Sequence, residues 1–321
     1  MTAETATAEQ VQLEPAPPSL RSRVVTWARR LLLLAVVAGA GYYLVTRWDE
    51  VWATLRTVPW PSAVLSLTAV IAGILFGTLS WQTIVDDLGP PIGRTRGAQI
   101  FLVSQLGKYV PGAVWAYVLQ MELGKKAGVG RARMFVGSLV QLGVSIVASL
   151  ALGVLALPVL LDEVQGAVWL YLVLPFGLAT LHPRVMTWGV NLVLRVLRKA
   201  PLDHPLHWST IIRTLIFSML SYTLFGTHLW LLATADGSPQ VNVLLLCVGA
   251  IAMGLTAGLF FFILPSGAGV RDLLVALALA PAVGPAAGAA FAVASRAMFT
   301  VADVTTAGAA AVVAKVHERR K

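Results

Sequence analysis

Charge is scarce in this chain. Asp, Glu, Lys and Arg make up 12 % of its 321 residues, about half the roughly 25 % usual for soluble domains. Such a surface cannot keep a protein of this size in water. Cysteine is nearly absent. The one copy, Cys247, lies in an apolar run and reads as a small buried residue, so an intramolecular disulfide and a CxxC motif are excluded. Five histidines show no metal-ligand spacing. A GxGxxG turn after a strand, a Walker loop, HExxH and GxSxG are all missing. Asp86-Asp87 resembles a metal-dependent transferase pair, but it reads better as a helix end. The expectation is a protein that is not an enzyme and uses no cofactor or metal.

What is there is hydrophobic. Apolar residues reach 57 % and the mean hydropathy is +0.78. Runs of about 20 apolar residues span a bilayer as helices. The clear candidates lie near 29–47, 62–84, 133–159, 166–182, 209–234, 240–264 and 285–314. Two shorter segments, 97–124 and 268–281, read as half-helices or re-entrant hairpins, the second ending at Pro281. The fold class expected is all-α, a polytopic membrane bundle with seven or eight transmembrane helices. Residues 1–28 form a Pro-bearing tail, 29–314 one transmembrane domain and 315–321 a basic tail. The run Leu31–Thr46 has a polar, acidic leader unlike a secretory one and reads as the first span.

The net charge of +9 comes from Lys and Arg in short loops and tails. That is the pattern of cytoplasmic loops facing anionic lipid, without the basic face that nucleic acid requires. Arg21 to Arg30, the flanks Arg94 to Arg96 and Lys125 to Arg133, and Arg184 to Lys199 would be cytoplasmic, which makes 97–124 re-entrant, while the loops at Asp162-Glu163 and Asp236 would lie outside. The N-terminus is therefore expected in the cytoplasm. A cytoplasmic Lys315–Lys321 tail needs an even number of crossings, favouring eight. Residues 184–199 read equally as an interfacial amphipathic helix or as an ordinary basic loop helix. Trp27, Trp48, Trp52, Trp60, Trp169 and Trp208 fall near span ends, as aromatic belts do.

Two breaks interrupt the apolar pattern: Lys108-Tyr109-Val110-Pro111-Gly112 and Pro265-Ser266-Gly267-Ala268-Gly269-Val270-Arg271-Asp272. Unwound backbone at bilayer depth must be shielded by protein or line a wet cavity, and charge there points to function. Pro111 and Pro265 stand 154 residues apart, as do Gly130 and Gly284. This fits an internal repeat with halves near 62–160 and 209–314, although apolar sequence also matches by chance. Lys108, Glu122, Arg271, Asp272, Arg296 and Asp303 are the ionisable residues in or beside these segments. Arg296 and Asp303, seven apart, share a helix face, and Arg296 with Asp303 or with Asp272 reads either as a structural pair or as part of a polar path. Arg271 and Lys108 beside broken helices suit an anionic group.

Gly107-Lys108-Tyr109-Val110-Pro111-Gly112-Ala113-Val114-Trp115 resembles the KY-x-PG-x-x-W motif of the lysylphosphatidylglycerol synthase transmembrane-region family, the flippase-like membrane proteins. The second break resembles that family's P-x-G-x-G-x-R-E motif, and Arg296 followed by Gly308 resembles its last-span arginine and glycine. Asp272 replaces the usual Glu, and no soluble acyltransferase-like domain accompanies the spans. The resemblance implies a translocation module rather than a synthase. It would move a phospholipid or lipid-linked headgroup across the cytoplasmic membrane. Lys108 and Arg271 would engage phosphate, and Asp272, Asp303 and Glu122 would balance charge or meet a cationic head. Tyr109, Pro111, Gly112, Trp115, Arg296 and the loop residues Pro265, Gly267 and Gly269 complete the implied site. The implied partners are anionic or aminoacylated phospholipids and a separate lipid-modifying enzyme. The alternatives are a membrane-embedded transferase or an accessory subunit in polyprenyl-linked sugar or aminoacyl-lipid synthesis.

Overall fold

The structure is a computed structural model. It describes residues 48–110, 114–160, 169–196, 198, 200–202, 204–235, 240–260 and 269–319. The expected first span at 29–47, the N-terminal tail, and Pro111, Gly112, Pro265 and Gly267 lie outside the described residues.

The described chain is helical throughout. In order, the helices are α1 (Trp48–Thr57), α2 (Trp60–Asp87), α3 (Arg94–Gln105), a 3-10 turn (Leu106–Tyr109), α4 (Trp115–Lys126) and α5 (Arg131–Leu160). Then follow α6 (Trp169–Thr180), α7 (Pro183–Val196), α8 (Trp208–Ala233), α9 (Val241–Phe260), α10 (Val270–Val283) and α11 (Pro285–Arg319). Among the described residues five helices are long and apolar enough to cross a membrane: α2, most of α5, α8, α9 and α11. The chain is an all-α multi-pass membrane bundle. Of the expected span 166–182, the described part is α6, 12 residues with Pro175 inside.

The short segments behave as their length dictates. α10 has 14 residues, about 21 Å at 1.5 Å per residue, against a hydrocarbon core of about 30 Å. Pro281 does not end it, as the sequence suggested. It is accommodated in the last turn, and the stop is Gly284 at φ 86°, whose N–H bonds the Ala280 carbonyl at 2.9 Å. In the first break the helix gives way before Pro111. α3 stops at Gln105, a 3-10 turn carries Lys108 and Tyr109, and α4 starts afresh at Trp115. Gly107 permits this crossing, since a Cβ there would stand 2.7 Å from the Ala116 nitrogen.

α7 is amphipathic. Val190 and Leu194 are buried against the bundle, whereas Val185, Trp188, Leu192 and Val196 are exposed beside Arg184 and Arg195. An exposed apolar face flanked by arginines suits the headgroup boundary, which favours the interfacial reading of this segment.

The bundle is centred on α2 and α8. Ser66 meets His228, Gly73 meets Ser221, and Ser80 meets Ser218. The numbers rise on one helix as they fall on the other, so the two run antiparallel. Gly73 and Gly226 allow the close approach: a Cβ on Gly73 would lie 2.4 Å from the Phe225 ring, and one on Gly226 2.4 Å from the Val248 Cα.

The contacts exchange between halves. α5 packs on α9 as α11 packs on α3, α4 on α5 as α10 on α11, and α5 on α8 as α11 on α2. Mapping α2–α5 onto α8–α11 accounts for each of these pairs, with α2 and α8 mapped onto each other. Since α2 and α8 are antiparallel, this mapping sets the two halves in opposite directions.

Gly226→Ala should force the α8–α9 contact apart, because the atom met is backbone. The expected result is a loss of about 1–3 kcal/mol, seen as a clear fall in melting temperature in detergent. Gly308→Ala, where a Cβ would meet nothing within 4 Å, should leave the melting temperature unchanged.

Candidate functional site

The two breaks converge on one cavity of about 480 Å³. Lys108 and Tyr109 reach it from the 3-10 turn, Arg271 from the first turn of α10, and Arg296 and Asp303 from α11. Five of the residues singled out in the sequence are thus brought together.

Arg271 is the most constrained of them. It is 4 % exposed. Gly269, at φ 88°, turns the chain into α10, and its N–H donates to the Asp272 carboxylate at 3.2 Å. This places Asp272 at the positive end of the helix and Arg271 beside it, facing inward. The Arg271 guanidinium lies over the Phe299 ring, 4.1 Å from its centre. Its Nη2 donates to Ser295 Oγ at 3.1 Å, while Nε has no partner. Among the described residues no carboxylate lies within ion-pair distance of Arg271.

A buried chain of hydrogen bonds fixes Ser295. Its hydroxyl meets His228 Nε2 at 2.9 Å, and His228 Nδ1 meets Ser66 Oγ at 2.6 Å. In the neutral ring one nitrogen donates and the other accepts, so both are satisfied. The chain Ser66–His228–Ser295–Arg271 ties α2, α8, α11 and α10 together.

The other cations are paired. Lys108 Nζ lies 2.7 Å from Asp303, which also accepts the Tyr109 hydroxyl at 2.6 Å. Arg296 Nη1 donates to Asp272 at 2.6 Å. Of the two partners the sequence left open to Arg296, the structure takes Asp272, and the Arg296–Asp303 pair does not form. Asp303 turns to Lys108 across the helix interface, and Arg296 reaches back to α10. Each carboxylate serves the opposite break or the neighbouring helix, so the pairs join segments far apart in sequence.

Two expected residues stand elsewhere. Glu122, on α4, is paired with Arg131 outside the cavity, near the α4–α5 corner. Two turns of helix separate it from Trp115, and the basic loop beside it captures it. Trp115 itself is 48 % exposed and does not line the cavity, whereas its neighbours Ala116 and Tyr117 do. Asp272 does not line the cavity either; it holds Arg296, which does. Gly269 acts through the turn it makes.

Residues that the sequence did not mark fill the remaining wall. Tyr117, Gln120, Ser138, Gln141, Ser145 and Tyr222 form an uncharged polar surface. Ionisable residues and helix breaks carried the sequence reading, so uncharged polar side chains went unmarked, although Gln120 and Gln141 are costly to bury in an apolar segment. A further usable signal was the 154-residue offset, which sets Tyr117 opposite Arg271.

An all-α bundle with five helices, among the described residues, long and apolar enough to cross a membrane, and with a charge-lined cavity, defines the class as polytopic membrane proteins. Within that class, the chain belongs to the family described as the lysylphosphatidylglycerol synthase TM region, whose model matches residues 30–307. Its members are membrane proteins of lipid biosynthesis or translocation. No curated protein matches the chain.

Asp303→Ala should leave Lys108 and the Tyr109 hydroxyl without their acceptor and lower the melting temperature. Lys108→Ala/Asp303→Ala should recover part of that loss. The expected coupling in a double-mutant cycle is about 1–3 kcal/mol, and strict additivity would rule out the pair as a structural tie.

Proposed function

We propose that the chain is a lipid translocase of the cytoplasmic membrane, with its N-terminus in the cytoplasm. A headgroup passes through the cavity between the two halves while the acyl chains stay in lipid. No covalent bond changes. The observation that carries this is Arg271: a guanidinium buried at 4 % exposure on the wall of a headgroup-sized cavity, with no carboxylate within ion-pair distance and no partner for Nε among the described residues. Burying an unpaired charge costs several kcal/mol or more unless a counter-ion arrives. A phosphate supplies that counter-ion and suits the fork geometry of arginine.

Lys108 and Arg296 support the same reading. Both line the cavity, and each is paired with a carboxylate, so they strengthen the local field without repelling Arg271 unchecked. The basic loops favour the assigned orientation. A supporting role beside a separate lipid-modifying enzyme is compatible with the same cavity.

The test is flipping of fluorescent anionic phospholipids by the purified protein in liposomes, read with an impermeant quencher. Wild type should flip. Arg271→Ala should lose at least about 10-fold, the equivalent of one charge-assisted hydrogen bond, and Arg271→Lys should be intermediate because it keeps the charge without the fork. Flipping unaffected by Arg271→Ala would remove the assigned site. No flipping of any lipid would leave the transferase or accessory alternatives.

A further inference from the structure

The cavity has two chemically different ends, and the inverted halves explain why. At the 154-residue offset, Arg271 corresponds to Tyr117, Arg296 to Leu142 and Phe299 to Ser145, and all six residues line the cavity. At two of these positions the second half supplies a cation where the first supplies a neutral residue, and the first half adds Lys108. The cationic end holds Lys108, Arg271 and Arg296. The neutral end holds Tyr117, Gln120, Gln141 and Ser145 from the first half and Tyr222 from the second.

The neutral end has hydrogen bonds to give. Gln141 Nε2 donates to Ser145 at 2.8 Å, which leaves the Gln141 carbonyl as an acceptor. Ser138 donates to the Gln120 carbonyl, which leaves the Gln120 amide as a donor. The Tyr117 hydroxyl and the Gln105 amide, both on the cavity wall, have no hydrogen-bond partner among the described residues. Donors and acceptors are thus mixed, with no formal charge among them.

The charge balance is equally specific. Three cations face the cavity, and their two carboxylates, Asp303 and Asp272, are already held by Lys108 and Arg296. Glu122 lies outside, paired with Arg131. One positive charge remains, which a single phosphodiester cancels. An aminoacylated head would bring one or more ammonium groups into a site with no carboxylate to spare, at like-charge cost.

We infer that the substrate is a lipid phosphodiester carrying an uncharged, polyhydroxylated head, such as glycerol, inositol or a hexose, and that aminoacylated lipids are rejected. The phosphate sits at Arg271, and the hydroxyls meet Tyr117, Gln120 and Gln141. This rests on the lipid-translocation reading above for its setting, but binding tests it separately. A site built to hydrogen-bond hydroxyls discriminates strongly, since its polar groups are left unpaired by the wrong head.

The experiment uses the purified full-length protein in detergent. Binding of short-chain phosphatidylglycerol, phosphatidylinositol, phosphatidic acid and lysyl-phosphatidylglycerol is compared, together with a short-chain prenyl hexosyl phosphate. The hydroxylated heads should bind at least about 10-fold tighter than the lysyl lipid. Whether the glycerolipid or the prenyl hexosyl phosphate binds tighter names the source of the head, and either order fits. Tyr117→Phe, which keeps the ring, should weaken the hydroxylated lipids about 3- to 10-fold and leave phosphatidic acid unchanged. Equal or tighter binding of the lysyl lipid overturns the inference, whether or not anything flips. An equal effect of Tyr117→Phe on all lipids overturns the role of the neutral end. A retained preference with no flipping in liposomes overturns only the translocation reading.

Discussion

The desolvated guanidinium of Arg271 is the interaction around which the surrounding helices are arranged. A charge in the low-dielectric interior must find compensation or be expelled to the interface. The bundle gives Arg271 an aromatic face, one serine hydroxyl and no carboxylate. That serine is in turn fixed by His228, and His228 by Ser66, so a polar thread runs from the cavity wall into the α2–α8 centre. Phe299 blocks the lateral escape of the side chain, and the short helix α10 sets its root. Removing carboxylates from one cation while supplying them to the two beside it makes a site that is locally positive and globally tolerable.

Inverted halves make such a site easy to build. A fold that repeats its broken helix places two breaks near a shared centre, and an inverted repeat lets them approach from opposite directions. Strict symmetry would put cations at both ends and leave no neutral wall. This chain departs from symmetry at positions that face the cavity: Tyr117 against Arg271, Leu142 against Arg296, Ser145 against Phe299. The helix contacts follow the exchange pattern while the lining does not.

Much of the fold was legible in the sequence for simple physical reasons. Long apolar runs become helices in lipid, and α2, α5, α8, α9 and α11 follow from hydropathy alone. The breaks were legible because Lys108 and Arg271 are anomalous in such surroundings. Partner choice was legible only in part. Arg296 could take Asp303 on its own helix or Asp272, and it takes Asp272, while the Lys108 partner of Asp303 was not marked; a neighbouring element offers shorter reach than two turns of the same helix. Glu122 misled for the opposite reason: Arg131, in the adjacent corner, captured it. The neutral wall went unmarked, because uncharged polar side chains on a membrane helix signal less strongly than charges or helix breaks until their neighbours are known.

Asp272 illustrates how side-chain length enters the geometry. Its carboxylate accepts from the Gly269 N–H at the start of α10 and from Arg296 across the helix pair. The shorter aspartate keeps its oxygens near the helix start, where the N-terminal dipole favours negative charge. A longer acid would reach further into the cavity and present its charge to whatever enters. Held back as it is, Asp272 withdraws Arg296 toward α10 and leaves Arg271 as the cation without a counter-ion. The anion preference of the site therefore depends on two carboxylates that do not meet the ligand, each neutralising one cation so that a third is left exposed to it.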